Sequence, residues 1–220
     1  MFEAGFSWHW PNGPQRRWPL CQVPGNGHGR PIFWCRWRTS IRLFLNLTLQ
    51  ENQESDQALR SIIEKAFKIR IGVLLFADHP NARLGRRLNV NLWVEDRSPD
   101  WELKMDLGNM DLALLTAYTL KQNWDGSLNL ISAVGEKDQE DNAREFLELL
   151  LESSRMPGPD IFVTHRSDQI DKPVEKMPQA DLNVFSLTPE ADFETLRKLI
   201  DQTGASCLFA MDSGEENALV

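Results

Sequence analysis

From Asn89 onward, short apolar runs alternate with longer amphipathic stretches, and this alternation constrains the fold more than any other feature. Asn89-Val-Asn-Leu-Trp-Val94 has the two-residue period of a strand, with Val90, Leu92 and Val94 on one face. Asn109 to about Asn123 reads as a largely buried helix stopped by Asp125-Gly126. Leu128 to Val134 reads as a strand. Asp138 is placed to cap the next helix, with Asp141 at the capping-box position and Ala143, Phe146, Leu147, Leu150 and Leu151 on its apolar face. Met156-Pro-Gly ends that helix, and Asp160 to Thr164 is a further strand. Leu182 to Leu187 is another, followed by a helix predicted to start at the Thr188-Pro189 cap and to close at Gly204. Ser206 to Met211 is the last strand. Strands separated by helices pair in parallel through right-handed crossovers. The prediction is therefore a three-layer, Rossmann-like α/β domain with a mostly parallel five-stranded sheet, its strands ordered 3-2-1-4-5 in chain numbering.

The N-terminal portion reads differently. Residues 1–40 hold five of the eight tryptophans, five prolines and five glycines, with no strand or helix period. They also carry five arginines against one acid, or +4. The other 180 residues must then carry -12 to reach the net charge of -8. Residues 1–54 are expected to be a low-order tail, or alternatively upstream or out-of-frame sequence translated ahead of the domain. Ser55 is placed to cap a helix from Asp56 to about Ile69, whose apolar stripe is Leu59, Ile62, Ile63, Ala66 and Phe67. Ile71 to Phe76 then reads as a strand that is apolar on both faces. The implied organisation is a tail (1–54), a helix–strand segment (55–84) and the Rossmann-like domain (85–220).

The acidic balance argues against nucleic acid as a partner, because neutralising phosphates takes a basic surface. No apolar run approaches the roughly 18–20 residues of a spanning helix, and no basic start followed by an apolar run marks a signal peptide. The chain is thus expected to be soluble, without direct insertion into a membrane. The three cysteines, Cys21, Cys35 and Cys207, follow no disulfide pattern, and Cys207 lies in an apolar run that suggests an inert buried thiol.

Doubly wound sheets bind ligands at the carboxyl ends of their strands. Here the first such turn, Glu95 to Gly108, carries one glycine and five acids: Glu95, Asp96, Asp100, Glu102 and Asp106. Acids repel phosphate, so a dinucleotide cradle is not expected, and the spacing fits no metal loop; the turn reads as a solvated acidic loop. Gly25-Asn-Gly-His-Gly29 lacks the strand, helix and lysine of a phosphate loop. Cys21, His28 and Cys35 lack the paired-cysteine spacing of a zinc site. His165 follows a strand near Asp160 and Asp168, a position suited to acid–base work, but no serine or cysteine nucleophile accompanies it. It reads as a surface histidine. No catalytic, metal or cofactor-binding residue is assigned, and no cofactor is expected.

Several segments carry a resemblance to a known family. Ala58 to Phe76 (ALRSIIEKAFKIRIGVLLF) is similar to a helix ending I-x-x-A-F followed by a G-V strand, and Asn89 to Val94 is similar to a strand I-D-V-W-W. Asp111 to Trp124, Leu128 to Val134, Ala143 to Leu150 and Thr203 to Phe209 continue it in register. From about Ala58 the chain resembles the C-terminal cytoplasmic domain of cation–chloride cotransporters, of the amino-acid/polyamine/organocation transporter superfamily, in their prokaryotic branch. The resemblance implies a Rossmann-like, universal-stress-like domain on the cytosolic face of the membrane. It also implies a homodimer, the transporter's membrane domain as partner, and a non-enzymatic part in regulating symport of chloride with sodium or potassium, a transport this chain cannot perform alone. A free-standing universal-stress-type domain that binds a small ligand or nucleotide is the alternative. By the same resemblance, residues 55–84 are the remnant of the family's first cytosolic subdomain, so the strand at Ile71–Phe76 lacks the rest of its own sheet. It must pair with the second domain's edge, pair with another chain, or stay exposed, and the last two favour association.

Overall fold

The computed structural model describes residues 21–22, 33–37, 40–105, 107–165 and 177–219. Three strands come first: β1 (Cys21–Gln22), β2 (Phe33–Trp37) and β3 (Ser40–Asn46). Helix α1 (Gln53–Lys68) leads to β4 (Gly72–Ala77). Then follow β5 (Asn89–Val94), α2 (Met110–Trp124), β6 (Ser127–Val134), a short 3-10 turn (Lys137–Gln139), α3 (Glu140–Ser153) and β7 (Asp160–His165). The described chain closes with β8 (Leu182–Ser186), α4 (Phe193–Thr203) and β9 (Ser206–Met211).

Among the described residues these strands form one nine-stranded sheet, ordered β1-β2-β3-β4-β9-β8-β5-β6-β7. Its last five members are parallel and carry the predicted 3-2-1-4-5 order, read from the β7 side. The α/β class and mostly parallel sheet are as predicted. The added part is the N-terminal wing. β3 and β4 pair in parallel across α1, and β4 joins the domain by pairing antiparallel with β9. Cys21–Gln22, Phe33–Trp37 and Ser40–Asn46, all assigned from sequence to the low-order tail, are thus strands of the sheet.

Period two explains how each strand serves two cores. Val90, Leu92 and Val94 of β5, with Leu128 and Leu130 of β6, pack under α2 and α3. On the opposite face, Val73, Leu75 and Ala77 of β4 and Cys207, Phe209 and Met211 of β9 pack under α1 and α4. The apolar character of β4 on both faces is accounted for here, since Leu74 and Phe76 point into the α2 side. Flanked by β3 and β9, β4 is interior to the sheet and is not the orphaned strand expected to drive association.

Helix starts depart from the sequence reading where a competing cap wins. α1 begins at Gln53 because the Asn52 side chain, not Ser55, caps it, accepting the Ser55 amide at 3.1 Å. The Asp138/Asp141 capping box does not form; Asp138 lies in the 3-10 turn and α3 starts after Gln139. α4 starts at Phe193 and not at Pro189, because the Asp192 carboxylate accepts both the Thr195 amide (3.0 Å) and its hydroxyl (2.9 Å).

Candidate functional site

The strand order reverses between β5 and β8, so the crevice of a doubly wound fold falls at their carboxyl ends, beside the N-terminus of α2. Among the described residues, the chain's own polar side chains gather around that place. Asp96, leaving β5, accepts the Gly135 amide at 2.7 Å and the Ser98 amide and hydroxyl at 2.9 and 2.6 Å. The loop after it lies down on α3. The Arg97 guanidinium sits 5.0 Å from the Phe146 ring centre and donates to the Leu107 carbonyl. The Trp101 indole N–H donates to Gln139 Oε1 at 3.0 Å. Of the acids expected to be solvated, Glu95, Asp100 and Glu102 are exposed, Asp96 is half-buried and fixed, and Asp106 lies outside the described residues.

The first turn of α2 is where an anion would otherwise bind. Asp111, 2% exposed, occupies it: its carboxylate accepts the Leu107 amide at 3.0 Å and the Ala218 amide at 2.6 Å. The second of these bonds brings in the segment after β9. Ala218 and Leu219 are buried against the α2 core. Glu216 accepts the Ser213 amide (2.8 Å) and hydroxyl (2.5 Å), and it takes Arg42 of β3 through Nε (3.2 Å) and Nη2 (3.1 Å). This ion pair is almost fully enclosed, with the side chains 10% and 1% exposed. Gly72 of β4 makes room for it, since a Cβ there would lie 3.2 Å from Leu112, 3.3 Å from Glu216 and 3.5 Å from Arg42.

Asp212 completes the cluster. Its amide donates to Asn109 Oδ1 at 3.3 Å and its carboxylate accepts the Gly214 amide. Its buried Oδ2 has no hydrogen-bond partner. Burial, followed by the nearby Glu216 and Asp111, pushes the Asp212 carboxyl up to about 7. Burial works upward on Glu216 as well, but the Ser213 hydroxyl and amide and the Arg42 charge outweigh it and hold that carboxyl below its usual range.

The other residues weighed from sequence are scattered. His165 is exposed at the end of edge strand β7, opposite Val134, while Asp160 stands at the other end of that strand. Asp168, His28 and Gly25–Gly29 lie outside the described residues. Cys21 and Cys35 fall in β1 and β2. The Cys207 thiol is buried beside Thr203, and burial pushes it up to about 12. Among the described residues no group of three or more His, Cys, Asp or Glu side chains is placed to hold a metal ion. Sequence reasoning did not find the Arg42–Asp111–Asp212–Glu216 cluster. The one local signal was an acid in the first turn of an otherwise apolar helix.

These features define a doubly wound α/β module in which a carboxylate and the segment after β9 occupy the N-terminus of α2. Residues 85–219 match the second part of the prokaryotic cation–chloride cotransporter C-terminal domain. The chain belongs to that family. It is similar to the crystal structure of the cytoplasmic domain of a prokaryotic cation chloride cotransporter, with 45% identity and a TM-score of 0.70, over 80% of this chain and 66% of that one. It thus spans just under two thirds of the length of that domain. A universal stress protein from Archaeoglobus fulgidus DSM 4304 aligns with a TM-score of 0.47 and 13% identity, over 77% of this chain and 60% of that one. No curated protein matches the chain.

Proposed function

We propose that the chain is the cytoplasmic regulatory and oligomerisation part of a membrane cotransporter that moves chloride with sodium or potassium, and that it has no catalytic activity of its own. The observation that carries this reading is the 45% identity to a cotransporter's cytoplasmic domain across four fifths of the chain. No helix among the described residues is long and apolar enough to cross a membrane. The ion path is therefore assigned to a membrane domain that this part binds, and the chain alone moves no ions. The N-terminus of α2 supports a non-catalytic role, because Asp111 occupies the anion position there. The working assembly is a homodimer, as the family resemblance implies.

The test pairs binding with transport. The chain is titrated onto the membrane domain of a prokaryotic cation–chloride cotransporter in lipid nanodiscs, and chloride-dependent cation flux is measured with and without it. Binding with altered flux supports the proposal; no binding and unchanged flux overturns it. Light scattering after size exclusion reports the oligomer. Micromolar ATP affinity by calorimetry would instead favour the free-standing nucleotide-binding alternative.

A further inference from the structure

The segment after β9 gathers carboxyls in an enclosed place. Asp212 and Glu216 come from the segment itself, and Asp111 comes from α2. The cation bonded to the cluster is Arg42 of β3, which is engaged with Glu216. On β4, Gly72 faces Glu216 and Arg42 and brings no side chain. Two of the three carboxyls are built to be anions. Asp111 accepts two backbone amides, and Glu216 accepts a guanidinium, a hydroxyl and an amide. Asp212 is not, since its Oδ2 is buried without a donor and its titrating neighbours are two further acids. A proton on Asp212 supplies the missing donor toward Glu216 and removes one like charge from the enclosure.

We infer that residues 212–219 form a proton-operated latch: with Asp212 protonated the segment closes over the N-terminus of α2 and grips Arg42 of β3, and loss of that proton releases it. The sign follows from linkage. The docked carboxyl titrates near 7 and a water-exposed one at 3.8. Docking is therefore strongest below the lower value and weakens as pH rises through the upper one. Glu216 shifts the opposite way from an ordinary value of 4.5, so above about pH 6 it is ionised whether docked or free and adds no slope there.

Amide exchange on the whole chain reads this directly, because the Ala218 amide is held by Asp111 only while the segment is docked. After correction for intrinsic base catalysis, Ala218 protection is expected to fall about ten-fold between about pH 6 and about pH 9, with core amides unchanged. Asp212→Asn, neutral at every pH, should keep Ala218 protected without that slope. Protection that is flat in the native chain, or a native slope retained in Asp212→Asn, overturns the proposal. Should the variant fail to fold, carbon-detected NMR of the native Asp212 carboxyl decides: titration below about pH 5 overturns the latch, and titration near neutrality supports it.

Discussion

Arg197 on α4 holds the N-terminal wing to the rest of the domain, and truncating it should show how firmly. Its guanidinium donates to both oxygens of Asp56 on α1, at 2.9 and 2.6 Å, and its Nε donates to the Thr48 carbonyl at 3.0 Å. The two side chains are 9% and 21% exposed, so the pair is mostly dry. Arg197→Met keeps the aliphatic stem over the helix but removes three hydrogen bonds and leaves a carboxylate facing an apolar neighbour. Breaking a buried pair costs about 3–5 kcal/mol. Asp56 retains some water access, which lowers the figure for Arg197→Met to about 3 kcal/mol. Asp56→Ala leaves the guanidinium with Thr48 and should cost about 2 kcal/mol. Urea unfolding of both singles and the double variant gives the coupling, expected near 1.5–2 kcal/mol. Single effects below about 0.5 kcal/mol, or additive ones, would refute the idea that this bidentate pair ties α1 to α4.

Gly85 adopts a positive φ of 44°, and a Cβ there would lie 1.9 Å from Asp181 Oδ1. Gly85→Ala should therefore destabilise by about 2 kcal/mol or more, read as a lower urea midpoint. Asp181 accepts the amides of Arg86, Leu88 and Asn89, and these outweigh burial to hold its carboxyl below the usual range. Its contribution is thus full above the ordinary aspartate value and is lost as pH falls through the depressed one; Asp181→Asn should flatten acid unfolding in that range. Cys207, fully buried and pushed up to about 12, should resist a thiol reagent at neutral pH in the native chain and react promptly in denaturant.

The parallel core was legible because its period is strict. β5 alternates Val90, Leu92 and Val94 with Asn91 and Trp93, and the structure puts the first set under α2 and pairs Asn91 with Asn129 at 2.8 Å on the other face. Caps were less legible, since several side chains compete within a few residues. Thr188-Pro189 has the form of a helix start, yet Asp192 makes the actual bonds. β3 escaped notice because Arg42 interrupts its apolar run, and that arginine makes sense only beside Glu216, 174 residues away. The same separation hid the carboxylate cluster. Its members come from β3, α2 and the segment after β9, and no spacing rule relates them.

The position of β9 has a consequence for how the protein is made. It comes last in chain order among the described strands, yet it lies between β4 and β8 and joins the two halves of the sheet. While the ribosome is still translating the α4 region, β4 has β3 on one side and an open row of amides and carbonyls on the other. An open apolar edge is a template for pairing with neighbouring chains. Synthesis therefore passes through a stage in which β4 and β8 both present open edges, and the emergence of some six residues, Ser206 to Met211, closes both.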